Sequence, residues 1–257
     1  MFLSKQEKTF IKSLHQSETR ILRSEYSAEG SRLVLDLISS APGDIIKIYA
    51  TTGWLYKHSS KIENIAHLVS EISESDLASI AQLRTTKEVL GIFKFPRFNS
   101  NISASNQNTV IFLDRISDPG NLGTIIRTCD WFGISSIYCA PGSVHFSNSK
   151  VVQSSMSSIA RVQVKYLAVA QVKQLFEGHK FVGATLHGLA YNEIDKPEQM
   201  VILIGNEANG LSQEAIDLCD MFVSIPAKLS LGAESLNAAV SAAILISSFS
   251  KLSGTSD

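Results

Sequence analysis

The chain contains 257 residues, of which 44% are hydrophobic and 18% are charged, with a formal net charge of −1. This composition supports a substantial core and two domains, and it argues against global disorder. Its three cysteines form no CxxC pair, which argues against a disulfide framework or a zinc site. We expect neither a signal peptide nor a membrane span, since no apolar run reaches about 18 residues, and the cytoplasm is the expected compartment.

The first part of the chain has the pattern of a small α/β unit. Helices are predicted over residues 4–24 and 76–83, and strands over 45–51, 67–72 and 89–95. An Asn- and Ser-rich stretch without apolar periodicity follows and is typical of a linker, with the boundary near residues 98–107. The sequence therefore predicts an N-terminal domain over 1–100 and a second domain over 108–257.

In the second part, apolar runs alternate with helical patterns. This alternation of buried-type strands and helices predicts a parallel sheet covered on both faces. Ligands of such sheets bind at the carboxyl ends of the strands. The predicted strands are 109–114, 136–140, 161–167, 180–186, 200–205 and 221–226, and a last helix is expected from about Ser235 to Lys251.

Several common signatures are missing from the sequence. No GxGxxG follows a strand and no GxxxxGK[ST] occurs, so an ordinary dinucleotide fold or a P-loop is disfavoured. HExxH and GxSxG are also absent. The six histidines are scattered without ligand spacing, and we expect no metal site.

The segment SDPGNLGTIIRTCDWFG (117–133) turns from a strand into an amphipathic helix. Arg127 lies on the side opposite the apolar stripe and shares its face with Trp131. A large apolar side chain there favours contact with a partner, with simple exposure as the alternative. Asn121 is expected to cap the helix.

Two later segments also place polar groups at strand ends. In VILIGNEANGLS (201–212), a buried strand ends at Gly205 and Glu207 lies in the turn, where it is either part of a ligand site or merely solvated. Ser212 is expected to cap the next helix. In the segment 222–249, the final helix is apolar nearly all round, which favours packing against its own sheet and a second subunit. Ser235 is expected to cap this helix, and Asn237 needs a hydrogen-bond partner.

Three motifs of the sequence resemble, in order, those of the SpoU (TrmH-like) branch of the SPOUT methyltransferases. They are N-x-G-x-x-x-R-T with F-G, then I-G-N-E-x-x-G-L-S, then I-P followed by S-L-N-A-A-V-S-A-A. The resemblance covers roughly residues 109–250. The stretch RILRSEYSAEGSRLVLDLI (20–38) is similar to the opening of the small substrate-binding domain attached to many rRNA-modifying members.

This resemblance implies an α/β fold, with a SPOUT-type parallel sheet and a C-terminal trefoil knot behind a small α/β substrate-binding domain. It also implies a homodimer with sites at the interface, which transfers a methyl group from S-adenosylmethionine to a ribose 2′-hydroxyl of RNA. The matching polar positions are Asn121, Arg127, Glu207, Ser235 and Asn237, and the positions implied to hold the cofactor are Leu186, Gly205, Ile225 and Leu236.

Arg127 is interpreted as stabilising the developing alkoxide and not as a general base, because an arginine does not readily lose its proton. Glu207 would orient Arg127 or the ribose, and the remaining polar residues would fix the nucleotide and the loops. The stretch between Pro226 and Ser235 departs from the family pattern: it is about two residues longer and has Ala227 in place of the usual Met.

The N-terminal domain favours rRNA as substrate, with tRNA as the alternative. Base methylation by another SPOUT branch, a non-catalytic RNA-binding protein that kept the fold, and a nucleotide-dependent oxidoreductase are further alternatives. We expect no DNA partner and no membrane partner.

Overall fold

The computed structural model describes residues 3–83, 88–98, 107–227 and 234–250. The chain divides into two compact units. The first unit is Met1–Arg97 with His145–Ala160, and the second unit is Phe98–Val144 with Arg161–Asp257. Most of the predicted linker, residues 99–106, lies outside the described residues. The division at 100 and 108 assigned 145–160 to the second domain, whereas this segment clusters with the first unit.

The elements of the first unit before residue 98 are α1 (Lys5–Ser13), α2 (Ser17–Arg23), β1 (Glu25–Glu29), α3 (Ser31–Ser40), β2 (Ile45–Ala50), α4 (Thr52–Lys57), α5 (Ser59–Ile62), β3 (Val69–Glu71), α6 (Glu74–Ile80) and β4 (Val89–Lys94). The strands form a four-stranded sheet in the order β1-β4-β2-β3. Strand β4 runs antiparallel to β1 and β2, and β3 runs parallel to β2.

The remaining elements in chain order are β5 (Thr109–Asp114), α7 (Pro119–Trp131), β6 (Ser136–Cys139), α8 (Ser149–Ser155, in the first unit), β7 (Gln163–Tyr166), α9 (Val169–Leu175), β8 (Lys180–Ala190), β9 (Met200–Gly205), α10 (Gln213–Asp217), β10 (Met221–Ser224) and α11 (Ala238–Phe249). The strands of the second unit form a six-stranded sheet in which every pairing is parallel, in the order β10-β8-β9-β5-β6-β7. The predicted parallel α/β fold is therefore confirmed.

The segment 145–160 belongs to the first unit because its apolar side chains are part of that unit's core. Val152 of α8 and Ile159 are both buried, and they join the cluster that contains Leu33 and Val34 of α3. Arg20 of α2 also reaches this segment, since its Nε donates to Ser147 Oγ at 3.2 Å.

The predicted helix over 4–24 is instead two helices, and the guanidinium of Arg20, a residue of α2, reaches back to the break between them. This guanidinium donates to the carbonyl of Leu14 at 2.9 Å and to that of His15 at 2.8 Å, and so satisfies backbone groups where α1 ends. Arg20 is buried, and this desolvation lowers its pKa. A charged group thus fixes the bend between α1 and α2.

Strand β8 leaves its regular pairing with β10 close to the carboxyl edge of the sheet. Phe222 pairs with Gly183, but the next residue, Val223, pairs with Leu189. Residues 184–188 are therefore displaced from the ladder. A Cβ atom on Gly188 would lie 2.5 Å from the Val223 nitrogen, so only glycine permits this approach of the two strands.

Two predicted helix caps are wrong. Helix α7 is capped by Asp118, whose Oδ1 accepts from the Asn121 backbone at 2.8 Å, so Asn121 lies inside the first turn. Helix α11 is capped by Asn237 rather than Ser235, because its Oδ1 accepts from Ala239 N and Val240 N. The predicted cap Ser212 is confirmed, since it accepts from Ala215 N. The predicted end of the last helix, at 251, lies outside the described residues.

Within the described ranges, no helix has the length and apolar character needed to cross a membrane. The same residues contain no group of three or more His, Cys, Asp or Glu side chains that could hold a metal ion.

We predict that Arg20→Leu lowers the free energy of unfolding of the first unit by about 3 kcal/mol, because it leaves buried carbonyl groups without a donor. Arg23→Leu on the same helix is the matched control. Its side chain is 48% exposed and pairs with Glu25 at 3.1 Å, so we expect a loss of less than about 1 kcal/mol. Urea unfolding curves of both variants test this, and equal losses would contradict the structural role of Arg20.

Candidate functional site

A cleft of about 810 Å³ opens at the carboxyl edge of the second unit's sheet. The displaced part of β8, the turn after β9 and the segment before α11 form its walls. All four predicted cofactor positions line it, as do two of the predicted polar residues: Leu186, Gly205, Ile225, Leu236, Glu207 and Ser235.

The remaining predicted polar residues, apart from Arg127, join this cleft through a chain of side-chain hydrogen bonds. Asn121 Nδ2 donates to Glu207 Oε1 in a short contact. Asn237 Nδ2 donates in turn to Asn121 Oδ1 at 2.9 Å. The chain links one residue from each of the three motif segments. Asn237 thus has the partner that its polar character required.

Two residues that the sequence interpretation missed hold the turn after β9. Asp114, at the end of β5, is buried, and its Oδ2 accepts from Ser212 N at 2.6 Å. Asn206 Nδ2 donates to the Arg115 carbonyl at 3.0 Å, and its Oδ1 accepts from Ala208 N at 2.9 Å. An acidic residue as the last residue of a buried strand was a signal that could have identified Asp114.

Gly205 makes this turn possible. Its backbone packs so tightly that a Cβ atom would lie 2.2 Å from the Gly210 carbonyl carbon and 2.4 Å from the Leu211 nitrogen. Real side chains cannot be accommodated at such distances from backbone atoms. Gly205 is thus required by the fold of the turn, and the turn in turn forms one wall of the cleft.

Arg127 does not line the cleft of its own chain. It is exposed on α7, and its side chain makes no hydrogen bond or ion pair with any residue in the described part of the chain. The neighbouring acid, Asp130, is already paired with Arg161, with Nη2 and Oδ2 2.6 Å apart. Trp131 on the same helix is 85% exposed. Glu207 contacts Asn121 rather than Arg127, so the two predicted catalytic charges do not meet within one chain.

The residues of the cleft fit S-adenosylmethionine. The cleft volume is in the range of small-molecule sites, and its walls combine apolar side chains with a carboxylate and exposed backbone. Leu186, Ile225 and Leu236 supply apolar surface, while the turn of Gly205 presents main-chain groups. Such a cleft at the carboxyl ends of parallel strands is the architecture of an α/β enzyme that binds a nucleotide-like cofactor.

Comparison with known families identifies which class of enzyme this chain belongs to. Residues 108–247 match the model of the SpoU rRNA Methylase family. This match covers more than half of the chain, and the chain therefore belongs to that family. The resemblance seen in the three motifs is confirmed, and so is S-adenosylmethionine as the cofactor of an RNA methyltransferase.

Similar proteins cover nearly the whole chain. A Bacillus subtilis protein named 23S rRNA (guanosine(2553)-2′-O)-methyltransferase RlmP is 29% identical over 241 residues, which are 91% of this chain and 92% of the relative. An AdoMet-bound rRNA methyltransferase from Sinorhizobium meliloti is 28% identical, with a TM-score of 0.80 over 96% of both chains. AviRb, a SpoU methyltransferase from Streptomyces viridochromogenes, shares the fold at 22% identity, with a TM-score of 0.81 over 95% of this chain and 97% of its own.

We predict that Gly205→Ala weakens S-adenosylmethionine binding at least tenfold, because the turn after β9 must move to admit the methyl group. Gly43→Ala is the matched control, since a Cβ atom there meets nothing within 4 Å. Isothermal titration of both variants with the cofactor measures the effect. Unchanged affinity in Gly205→Ala would show that this turn does not shape the cofactor site.

Proposed function

We propose that this protein transfers a methyl group from S-adenosylmethionine to a ribose 2′-hydroxyl of ribosomal RNA. The observation that carries the proposal is the hydrogen-bonded set of Asn121, Glu207 and Asn237 beside a cofactor-sized cleft. The name of the Bacillus subtilis relative supports a 23S rRNA substrate and a 2′-O position. A tRNA substrate and a non-catalytic RNA-binding protein are the alternatives.

The residues of this chain mainly have to align the reacting groups. When bound, S-adenosylmethionine supplies a methyl group that its sulfonium has already activated. Leu186, Ile225 and Leu236 hold the donor and exclude water from it. Alignment of two bound reactants can lower the barrier by about 7–11 kcal/mol at best. Glu207 lies at the rim of the cleft, where it orients the ribose hydroxyl, and Ser235 lines the same cleft.

Arg127 stabilises the negative charge that develops on the ribose oxygen as the hydroxyl proton passes to a phosphate oxygen of the RNA or to water, and the cofactor leaves as S-adenosylhomocysteine. An arginine remains protonated at all relevant pH values, so it acts as a hydrogen-bond donor and not as a base. A guanidinium can also bind a phosphate of the RNA in a bidentate manner. The absence of a partner for Arg127 among the described residues leaves its donors available for these contacts.

The active form in this proposal is a homodimer with shared sites. Arg127 and Trp131 form an exposed face on α7, and Leu236 and Val240 are each nearly half exposed around the start of α11. Contact of these surfaces with a second subunit would bring Arg127 of one subunit to the cleft of the other. The C-terminal trefoil knot that the motifs implied is part of the same proposal, as is a location in the cytoplasm, where ribosomal RNA is found.

The first unit supplies RNA affinity in this proposal. The net charge of −1 gives the whole chain little electrostatic attraction for a polyanion, so binding depends on local contacts. A separate α/β unit attached to the catalytic one is an appropriate place for them.

We predict that Arg127→Ala lowers kcat about 100-fold while cofactor affinity stays unchanged, because one donor to the developing oxyanion is lost. Transfer of labelled methyl groups to 23S rRNA and, in parallel, to tRNA measures the rate. Lys180→Ala is the control, because this lysine lies at the start of β8, away from the carboxyl edge of the sheet, and its side chain is 60% exposed. If the wild-type protein methylates tRNA alone, tRNA is the substrate. If it binds the cofactor but transfers no methyl group, it is a binding protein.

Shared sites give a second prediction. At a cofactor concentration well below the Kd of Gly205→Ala, the Arg127→Ala and Gly205→Ala homodimers each keep at most about a tenth of wild-type activity, and their mixture regains about a quarter if subunits exchange at random. Half of the dimers are then mixed, and each mixed dimer has one complete site. If Arg127 served the cleft of its own chain, mixing would restore nothing.

A further inference from the structure

The hydrogen-bond chain beside the cleft runs from Asn237 through Asn121 to Glu207, each amide donating to the next residue. The amino end of α11 determines this donor-to-acceptor direction. Asn237 Oδ1 accepts from the backbone nitrogens of Ala239 at 2.9 Å and Val240 at 3.3 Å, at the amino end of that helix. Those nitrogens can only donate, so the side-chain oxygen of Asn237 must face them. Its Nδ2 therefore points away from the helix and donates to Asn121.

The same reasoning fixes the orientation of Asn121. Its Oδ1 accepts from Asn237, which leaves Nδ2 to donate to Glu207. An ionised carboxylate can only accept, so the chain has donors at one end and an acceptor at the other. The orientations of both amides thus follow from the two ends of the chain, each of which allows a single hydrogen-bonding role.

We propose that this directed chain holds the Glu207 carboxylate in the position where it orients the ribose hydroxyl, and that Asn121 and Asn237 are positioning residues that act through Glu207. The inference rests on the proposed function for the reaction itself. Asn121 is only 9% exposed, so water cannot readily replace it as the donor to Glu207. Glu207 is exposed at the cleft and keeps acceptor capacity for a ribose hydroxyl.

Asn237→Asp separates this role from helix capping. Asp caps a helix about as well as Asn, so the amino end of α11 keeps its acceptor. The carboxylate introduced by this substitution cannot donate, however, and Asn121 then has a carboxylate on either side and one donor group. Whichever way the Asn121 amide turns, its oxygen faces one of the two carboxylates. Glu207 consequently either loses its donor or accepts from an amide whose oxygen is repelled by the introduced carboxylate, although the helix stays capped.

The test begins with the kinetics and stability of Asn237→Asp. We expect kcat to fall at least tenfold, as for a lost charge-assisted hydrogen bond, with a nearly unchanged thermal midpoint. Asn148→Asp is the matched control. Asn148 caps α8 in the first unit with a similar backbone conformation, and its Oδ1 accepts from Lys150 N at 2.9 Å. This control should likewise keep its thermal midpoint, which shows that Asp replaces Asn as a helix cap without loss of stability. A wild-type kcat in Asn237→Asp would overturn the inference.

A double variant then tests the direction of the chain. In Asn237→Asp with Glu207→Gln, the new amide at position 207 can donate, so the chain can run in reverse from there through Asn121 to position 237. We expect the double variant to be no slower than Glu207→Gln alone. If the kcat loss of the double variant equals the product of the losses of the two single variants, Asn237 acts independently of Glu207, which overturns the inference.

A measurement without RNA keeps this inference distinct from the proposed function. The side-chain amide protons of Asn121 should exchange slowly in the wild-type protein and in the double variant, but quickly in Asn237→Asp. NMR of the folded full-length chain measures this exchange. Slow exchange in Asn237→Asp would overturn the directed chain, whereas a wild-type protein that methylates no RNA but shows the expected exchange pattern would overturn only the proposed function.

Discussion

The contact between Asn121 and Glu207 joins two parts of the chain that are 86 residues apart in sequence, and the geometry of the cleft depends on it. Asn121 belongs to α7, Glu207 to the turn after β9, and Asn237, the next link, to the start of α11. Each of these elements is fixed separately, by its helix cap or by the sheet. The hydrogen bonds between them determine how the three meet at the carboxyl edge.

Close backbone approach is the second requirement of the site. Gly205 allows the turn after β9 to fold back on its own strand, and Gly188 allows β8 to rejoin β10 after its displaced segment. That displaced segment supplies Leu186 to the wall of the cleft. The site thus depends on glycine at these two positions as much as on the polar groups that line it.

Much of this arrangement could be predicted from the sequence, because strand periodicity and motif order are local signals. The strands over 109–114 and 200–205 were predicted at their observed bounds, and the four cofactor positions all line one cleft. Their role in binding the cofactor remains a prediction. The parallel sheet followed from the alternation of strands and helices.

The errors arose where several residues compete for one structural role. Asp118 caps α7 because Pro119 occupies the first helical position, a combination that outweighs the capping preference of Asn121. Near α11, Asn237 takes the cap and leaves Ser235 to the cleft. No local pattern indicated that Arg20 would end α1, since its partners include Ser147, 127 residues away. Such contacts depend on the tertiary fold and not on local preference.

The chain passes from the second unit into the first at His145 and returns at Arg161. Neither unit is therefore a single uninterrupted stretch of sequence. A truncation at the Asn- and Ser-rich linker would remove most of the first unit but leave Val152 and Ile159 without the core that buries them. The two units are thus not interchangeable modules: exchanging the amino-terminal portion between relatives requires the α8 segment to be exchanged along with it.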